Sequence, residues 1–154
     1  MRRIGVTAAA LVVALVFALS VRGGTGSDDP LVHSCDAADL RFLEKAGIHV
    51  TSFDAWAADF RAGTADPAEV AGEAELAAAE VAKIEPNDPS LALAQKYLDA
   101  MFSEYGQALE LQADGKDAGD RMWRAWGLRN FSHDVLVEAQ PKLASLGCDV
   151  GPLL

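Results

Sequence analysis

The sequence predicts an all-α protein: an up-down-up-down helical bundle of four arms, with a broken first arm and its ends joined by one disulfide. Three observations carry this reading. Beyond residue 33 alanine is abundant and runs of β-branched residues are absent, a composition that favours helix over strand. Stop signals at Gly47, Gly63, Pro86, Gly115 and Gly147 fall at helical intervals. The only two cysteines, Cys35 and Cys148, stand at opposite ends of the helical region.

The N-terminus has the layout of an export signal. Met1-Arg2-Arg3 precedes an apolar run from Ile4 to Leu19, diluted only by Gly5 and Thr7. Ala18 and Ser20 offer small residues at the −3 and −1 positions, so a signal peptide over 1–20 is expected, cleaved after Ser20. The alternative is an uncleaved anchor, because Ile4 to Val21 is about 18 residues, the short limit for a spanning helix. Lipid attachment at Cys35 fits poorly: His33 stands where a small residue is wanted, and Cys35 lies about 15 residues past the apolar run. Residues 21–33 read as a flexible linker, since Val21 to Pro30 is rich in Gly, Asp and Ser without periodicity. The helical domain is then 34–150, with a tail over 151–154.

Removing 20 of the 154 residues leaves 134, enough for one domain with a real core. With Arg2 and Arg3 gone, 11 basic residues face 23 acidic ones, a net charge of −12. That balance argues against nucleic acid and against anionic membrane surfaces as partners, leaving membrane contact only through an uncleaved N-terminal segment. It permits a cationic partner, although high negative charge also serves solubility alone.

The first helix starts near Ser34–Asp36 and is expected to end at Gly47, a residue suited to a left-handed cap, with Leu40 and Leu43 facing the core. A second short helix opens at Thr51-Ser52-Phe53-Asp54, a variant capping box. Its Phe53, Trp56 and Phe60 recur at i, i+3, i+7, which reads as a core stripe, and Gly63 ends it. The third starts at Asp66-Pro67-Ala68-Glu69, a capping acid with proline in the first turn. Val70, Ala74, Ala77, Val81 and Ile84 form its stripe, and these small residues imply close packing; Glu85-Pro86 stops it. Asp88-Pro89 opens the fourth, where Leu91, Ala94, Leu98, Met101, Tyr105 and Ala108 keep a heptad-like spacing up to Asp114-Gly115. The last starts near Asp117, is expected to kink at Pro141, and closes with a final turn capped by Gly147. The proline-rich junction Ile84–Pro89 has no second copy, so no repeat is assigned.

Two cysteines in an exported chain imply a disulfide, here closing a loop of 113 residues. A helix of about 25 residues spans roughly 37 Å, whereas a disulfide needs Cα atoms within about 7 Å. Five helices running strictly up and down would place the cysteines at opposite ends. The two short helices must therefore share one bent arm, giving arms over 36–62, 67–85, 89–113 and 117–147, an even number that brings the chain back to its starting end.

Catalytic signatures such as GxSxG, HExxH, the P-loop, CxxC and CxxCH are absent. The residues three before His33, His49 and His133 are Pro30, Ala46 and Asn130, so the Glu-x-x-His pairs of a di-iron bundle are missing. Asp114, Asp117 and Asp120 fail the EF-hand spacing, because Lys116 and Ala118 stand where oxygen ligands belong. No cofactor or metal is expected.

One cluster could bind a ligand: Arg121, Trp123, Arg124, Trp126, Arg129 and His133. Arginines beside tryptophans can take an anionic or aromatic molecule by bidentate hydrogen bonds and cation–π contact. The competing explanation is charge balance, since residues 66–114 carry eleven acids against Lys83 and Lys96. The expectation is an exported, non-enzymatic helical module that binds a protein or small molecule outside the cytoplasm. The alternatives are a small all-α enzyme using Arg121, Arg124 or Arg129 with Glu104, and a bundle carrying haem or metal on His133 or His49.

Overall fold

The structure, a computed structural model, describes residues 34–154; the expected signal peptide over 1–20 and linker over 21–33 lie outside the described residues. Four helices follow in order: α1 (Ala37–Ala62), α2 (Pro67–Ala82), α3 (Pro89–Ala113) and α4 (Gly119–Ser145), then a 3-10 turn at Gly151–Leu153. No strand occurs among the described residues.

The starts are set by local chemistry. Asp36, Asp66 and Asp88 are the N-caps of α1, α2 and α3, their carboxylates accepting amide hydrogens of the first turn, and Pro67 and Pro89 occupy the first helical positions. The ends use glycine where the backbone turns left-handed. Gly63 closes α1 at φ 70°, and Gly147 follows α4 at φ 83°. At the latter, the Cys148 amide donates to the Leu143 carbonyl at 2.9 Å, so the chain leaves α4 in the bond pattern of a Schellman cap. The helix passes through Pro141 and reaches Ser145.

Side-chain pairings fix the antiparallel order. His49 on α1 meets Glu80 near the end of α2. Gln95 on α3 donates to the Val81 carbonyl at 3.1 Å. Arg121 near the start of α4 reaches Glu104 on α3, while Lys142 near its end reaches Asp88 at the start of α3. The chain thus runs up, down, up and down. Helix α3 is central, packed along α2 on one side and α4 on the other, and α1 lies over α2 and α3. Its buried Leu91, Leu98, Met101, Phe102 and Leu109 are the axis of the core. The small face of α2 permits close approach: a Cβ on Gly106 of α3 would stand 3.4 Å from the Ala71 carbonyl oxygen and 3.6 Å from the Ala74 Cβ.

The four arms are as expected, but the first is not broken. Helix α1 is continuous for 26 residues across the Gly47–Ser52 segment. Its buried stripe of Phe42, Ala46, Val50 and Ala57, extended by the partly buried Phe53 and Phe60, keeps helical spacing straight through Gly47. Gly47 serves packing instead of capping: a Cβ there would sit 2.9 Å from the Pro152 Cβ of the C-terminal turn. The unbroken stripe also rotates the first turns relative to expectation. Phe42 and Leu43 are buried, whereas Leu40 is 49 % exposed. The C-terminal residues pack onto α1, with Val150 and Leu153 buried in the same core.

At one pole the N-termini of α1 and α3 and the C-terminus of α4 are tied together. Cys35 and Cys148 form a disulfide with Cα atoms 5.2 Å apart. Beside it the Cys35 amide donates to the Leu146 carbonyl at 2.8 Å. Closing 113 residues by such a bond is worth roughly 4–5 kcal/mol on the chain-entropy model. The buried Asp39 accepts the backbone amides of Asn87 at 2.7 Å and Asp88 at 3.0 Å, so a side chain of α1 holds the entry to α3. Burial pushes the Asp88 carboxyl up, but the Lys142 ammonium and the Ser90 amide more than offset this and hold it below the ordinary carboxylate range.

Candidate functional site

The Arg/Trp cluster of α4 divides between two faces of that helix. Arg121 and Arg124, three residues apart, both turn to Glu104 of α3: Arg121 Nη1 donates to Glu104 Oε2 at 3.0 Å, and Arg124 Nε donates to the same oxygen at 3.2 Å. These are half-exposed ion pairs on the flank of the bundle, which is the charge-balancing arrangement. Trp123 is 70 % exposed on the same flank, and its ring stacks on Trp126 with centroids 4.8 Å apart. His133 lies a further two turns along, with Nδ1 3.6 Å from the carboxylate of the adjacent Asp134, and does not join the arginines.

Arg129 goes elsewhere. Met122, Ala125, Trp126 and Arg129 recur at i, i+3, i+4, i+7 and form the wall of a cleft of about 420 Å³. Its opposite wall is the second half of α1, with Phe53, Asp54, Ala57, Phe60 and Arg61; its floor is α3, with Met101, Tyr105 and Gln112. The cleft follows from the helix arrangement. Helices α1 and α4 are joined by the disulfide at one pole, but at the other each packs on α3 without closing on its neighbour. The space left between them is lined by aromatic rings, methionines and alanines with a few polar groups among them, the usual character of a small-molecule site.

The polar groups of the cleft are few. Phe53 holds Tyr105 edge-on, with ring centroids 4.4 Å apart, and the two rings fix the floor against α1. Burial raises the Tyr105 phenol above its ordinary value, and the positive charge of Arg61 partly counters this. The phenol therefore stays protonated at neutral pH. Arg129 Nη1 is buried and has no hydrogen-bond partner among the described residues. No carboxylate among the described residues lies within ion-pair distance of Arg129.

The structure thus separates the six sequence-derived candidates. Trp126 and Arg129 line the cleft, Arg121 and Arg124 share Glu104, Trp123 covers Trp126 from the flank, and His133 stands apart. Phe53 and Phe60, read from the sequence as core, line the cleft, while Trp56 of the same stripe packs partly buried against the core. Asp54, Arg61, Tyr105 and Gln112 were not legible as site residues. One signal was available within α4: Arg129 shares a helical face with Met122, Ala125 and Trp126, which Arg121 and Arg124 do not.

Comparison with known protein families, curated proteins and solved structures finds no match.

Among the described residues one grouping offers three side chains of metal-ligating type, Cys35, Asp39 and Cys148, and its two sulfurs are bonded to each other. His49 is engaged by Glu80 at 3.1 Å. In the α3–α4 loop the Asp114 carboxylate pairs with Lys116 at 2.8 Å, and the Asp117 carboxylate accepts the Gly119 amide at 2.9 Å. These contacts account for the loop acids by local pairing and capping.

Proposed function

We propose that this chain is an exported, non-enzymatic helical module that binds a small molecule with an apolar body in the cleft between α1, α3 and α4. The observation that carries the reading is the lining: four aromatic rings (Phe53, Phe60, Tyr105, Trp126) and two methionines (Met101, Met122) surround about 420 Å³ of space in a protein whose outer surface is strongly acidic. Apolar side chains of this size gain by covering, and unbranched methionine adapts to the shape of what covers it. Export is supported by the signal-like N-terminus and by the disulfide, which suits an oxidising compartment. No described helix is long and apolar enough to cross a membrane. The residues of the enzyme alternative, Arg121 and Arg124 with Glu104, meet as ion pairs at an open groove on the outer flank beside Trp123. The richer aromatic lining of the cleft favours the binding reading.

The test is titration with a neutral apolar fluorophore, N-phenyl-1-naphthylamine. Wild type is expected to bind it saturably with one site, and Ala57→Trp, which fills the cleft from its α1 wall, is expected to abolish binding while the helical circular dichroism stays unchanged. Undiminished binding to a folded Ala57→Trp variant, or none to wild type, would overturn the reading.

A further inference from the structure

We infer that the ligand is an amphipathic anion, an apolar and preferably aromatic body bearing a single carboxylate-type head, and that Arg129 receives the head. This rests on the cleft being a small-molecule site and adds the chemical class of the ligand. Three observations converge on it.

The first is the unpaired guanidinium. Arg129 lines the cleft wall, and its Nη1 is buried with no acceptor among the described residues. A buried donor left unpaired costs free energy that an incoming acceptor restores, and a carboxylate matches the planar fork of arginine with two parallel hydrogen bonds. The second is the local charge. The cleft is lined by two cations, Arg61 and Arg129, against one acid, Asp54, in a chain where acids outnumber basic residues 23 to 13. The net positive lining runs against the sign of the whole molecule. The third is the contrast along α4. Arg121 and Arg124, three residues apart on the outer flank, are both neutralised by Glu104, whereas Arg129 has no carboxylate within ion-pair distance among the described residues. Charge balance therefore accounts for the first two arginines and leaves the third unexplained.

The other polar groups fit the same head. Gln112 lies on the α3 floor and offers an amide, and the protonated Tyr105 hydroxyl is a further donor. Asp54 is the one group that would repel an anion. It is exposed, so water screens its charge, while the Arg129 nitrogen is shielded from water. The rings of Phe53, Phe60 and Trp126 give the body of the ligand an aromatic contact surface.

Three probes with one body separate the possibilities: 4-phenylbutyrate, 4-phenylbutan-1-ol and 4-phenylbutylamine, titrated calorimetrically into the disulfide-bonded protein. The anion is expected to bind at least about tenfold more tightly than the alcohol, the range expected for a charge-assisted hydrogen bond, and the amine more weakly than either. Arg129→Met is expected to erase the preference for the anion, so that anion and alcohol bind alike, and Arg129→Lys to retain part of it. Circular dichroism and thermal denaturation serve as control for the fold of each variant. Equal binding of anion and alcohol, a preference for the amine, or an anion preference that survives Arg129→Met would overturn the inference and leave the cleft reading standing. Binding of none of the three would overturn the inference, while the cleft reading stands or falls with the N-phenyl-1-naphthylamine titration.

Discussion

At the scale of single residues, the capping acids do different jobs at different ranges. Asp66 and Asp88 cap the helices they precede, and such contacts are legible in a sequence because donor and acceptor are two residues apart. Asp39 uses the same chemistry across 48 residues, holding the Asn87 amide, and nothing local announces it. Its replacement leaves two backbone amides at a helix start without their acceptor. Asp39→Ala is therefore expected to cost about 1–3 kcal/mol in chemical denaturation, and to speed hydrogen exchange at the Asn87 and Asp88 amides specifically. Asp39→Asn retains an acceptor oxygen and is expected to cost less. An Asp39→Ala variant as stable as wild type would show that α3 starts without help from α1. The arginines teach the same lesson about range. Their residue types suggested a ligand cluster, but only the facing carboxylate on α3 decides that Arg121 and Arg124 form ion pairs.

At the scale of elements, glycine is where sequence and structure part. Gly63 and Gly147 stand at left-handed positions as their place after apolar stripes implies. Gly47 looks the same in sequence and is not at such a position, because the stripe of α1 continues beyond it. What requires a glycine there is Pro152, more than a hundred residues later, resting against the helix. Two substitutions separate these roles. Gly72→Ala, on the exposed face of α2 with no atom near the added methyl, is expected to stabilise by about 0.5–1 kcal/mol through helix propensity alone. Gly47→Ala gains the same propensity but drives its methyl into the Pro152 ring, and is expected to be net destabilising by about 1–3 kcal/mol from overpacking. Thermal denaturation of the pair is the check. Equal stabilisation by both would mean that the C-terminal turn does not pack on α1.

At the scale of the whole molecule, the two cysteines carry the most topological information in the chain. A disulfide between the ends of a helical region requires an even number of arms, and the structure has four. The arm count was therefore legible, although the mechanism proposed for it, a break in the first arm, was not needed once α1 ran straight. The cleft was not legible. It arises because α1 and α4 are fastened at one pole and each leans on α3 at the other, a relation among three helices that no single stripe records. The stripe of Phe53 and Phe60 is apolar at helical spacing whether it faces a neighbouring helix or a cavity, so periodicity alone could not tell the two apart.

The fold offers an unusually specific probe of that cleft. Met101 and Met122 are the only methionines among the described residues, and both line it. Methyl NMR of protein labelled at methionine, titrated with N-phenyl-1-naphthylamine, is the most direct test of the central claim. Both methyl resonances are expected to shift together and saturate at one equivalent, while the indole signal of Trp56, packed against the core outside the cleft lining, stays in place. Binding that moves neither methyl would place the ligand elsewhere and contradict the account.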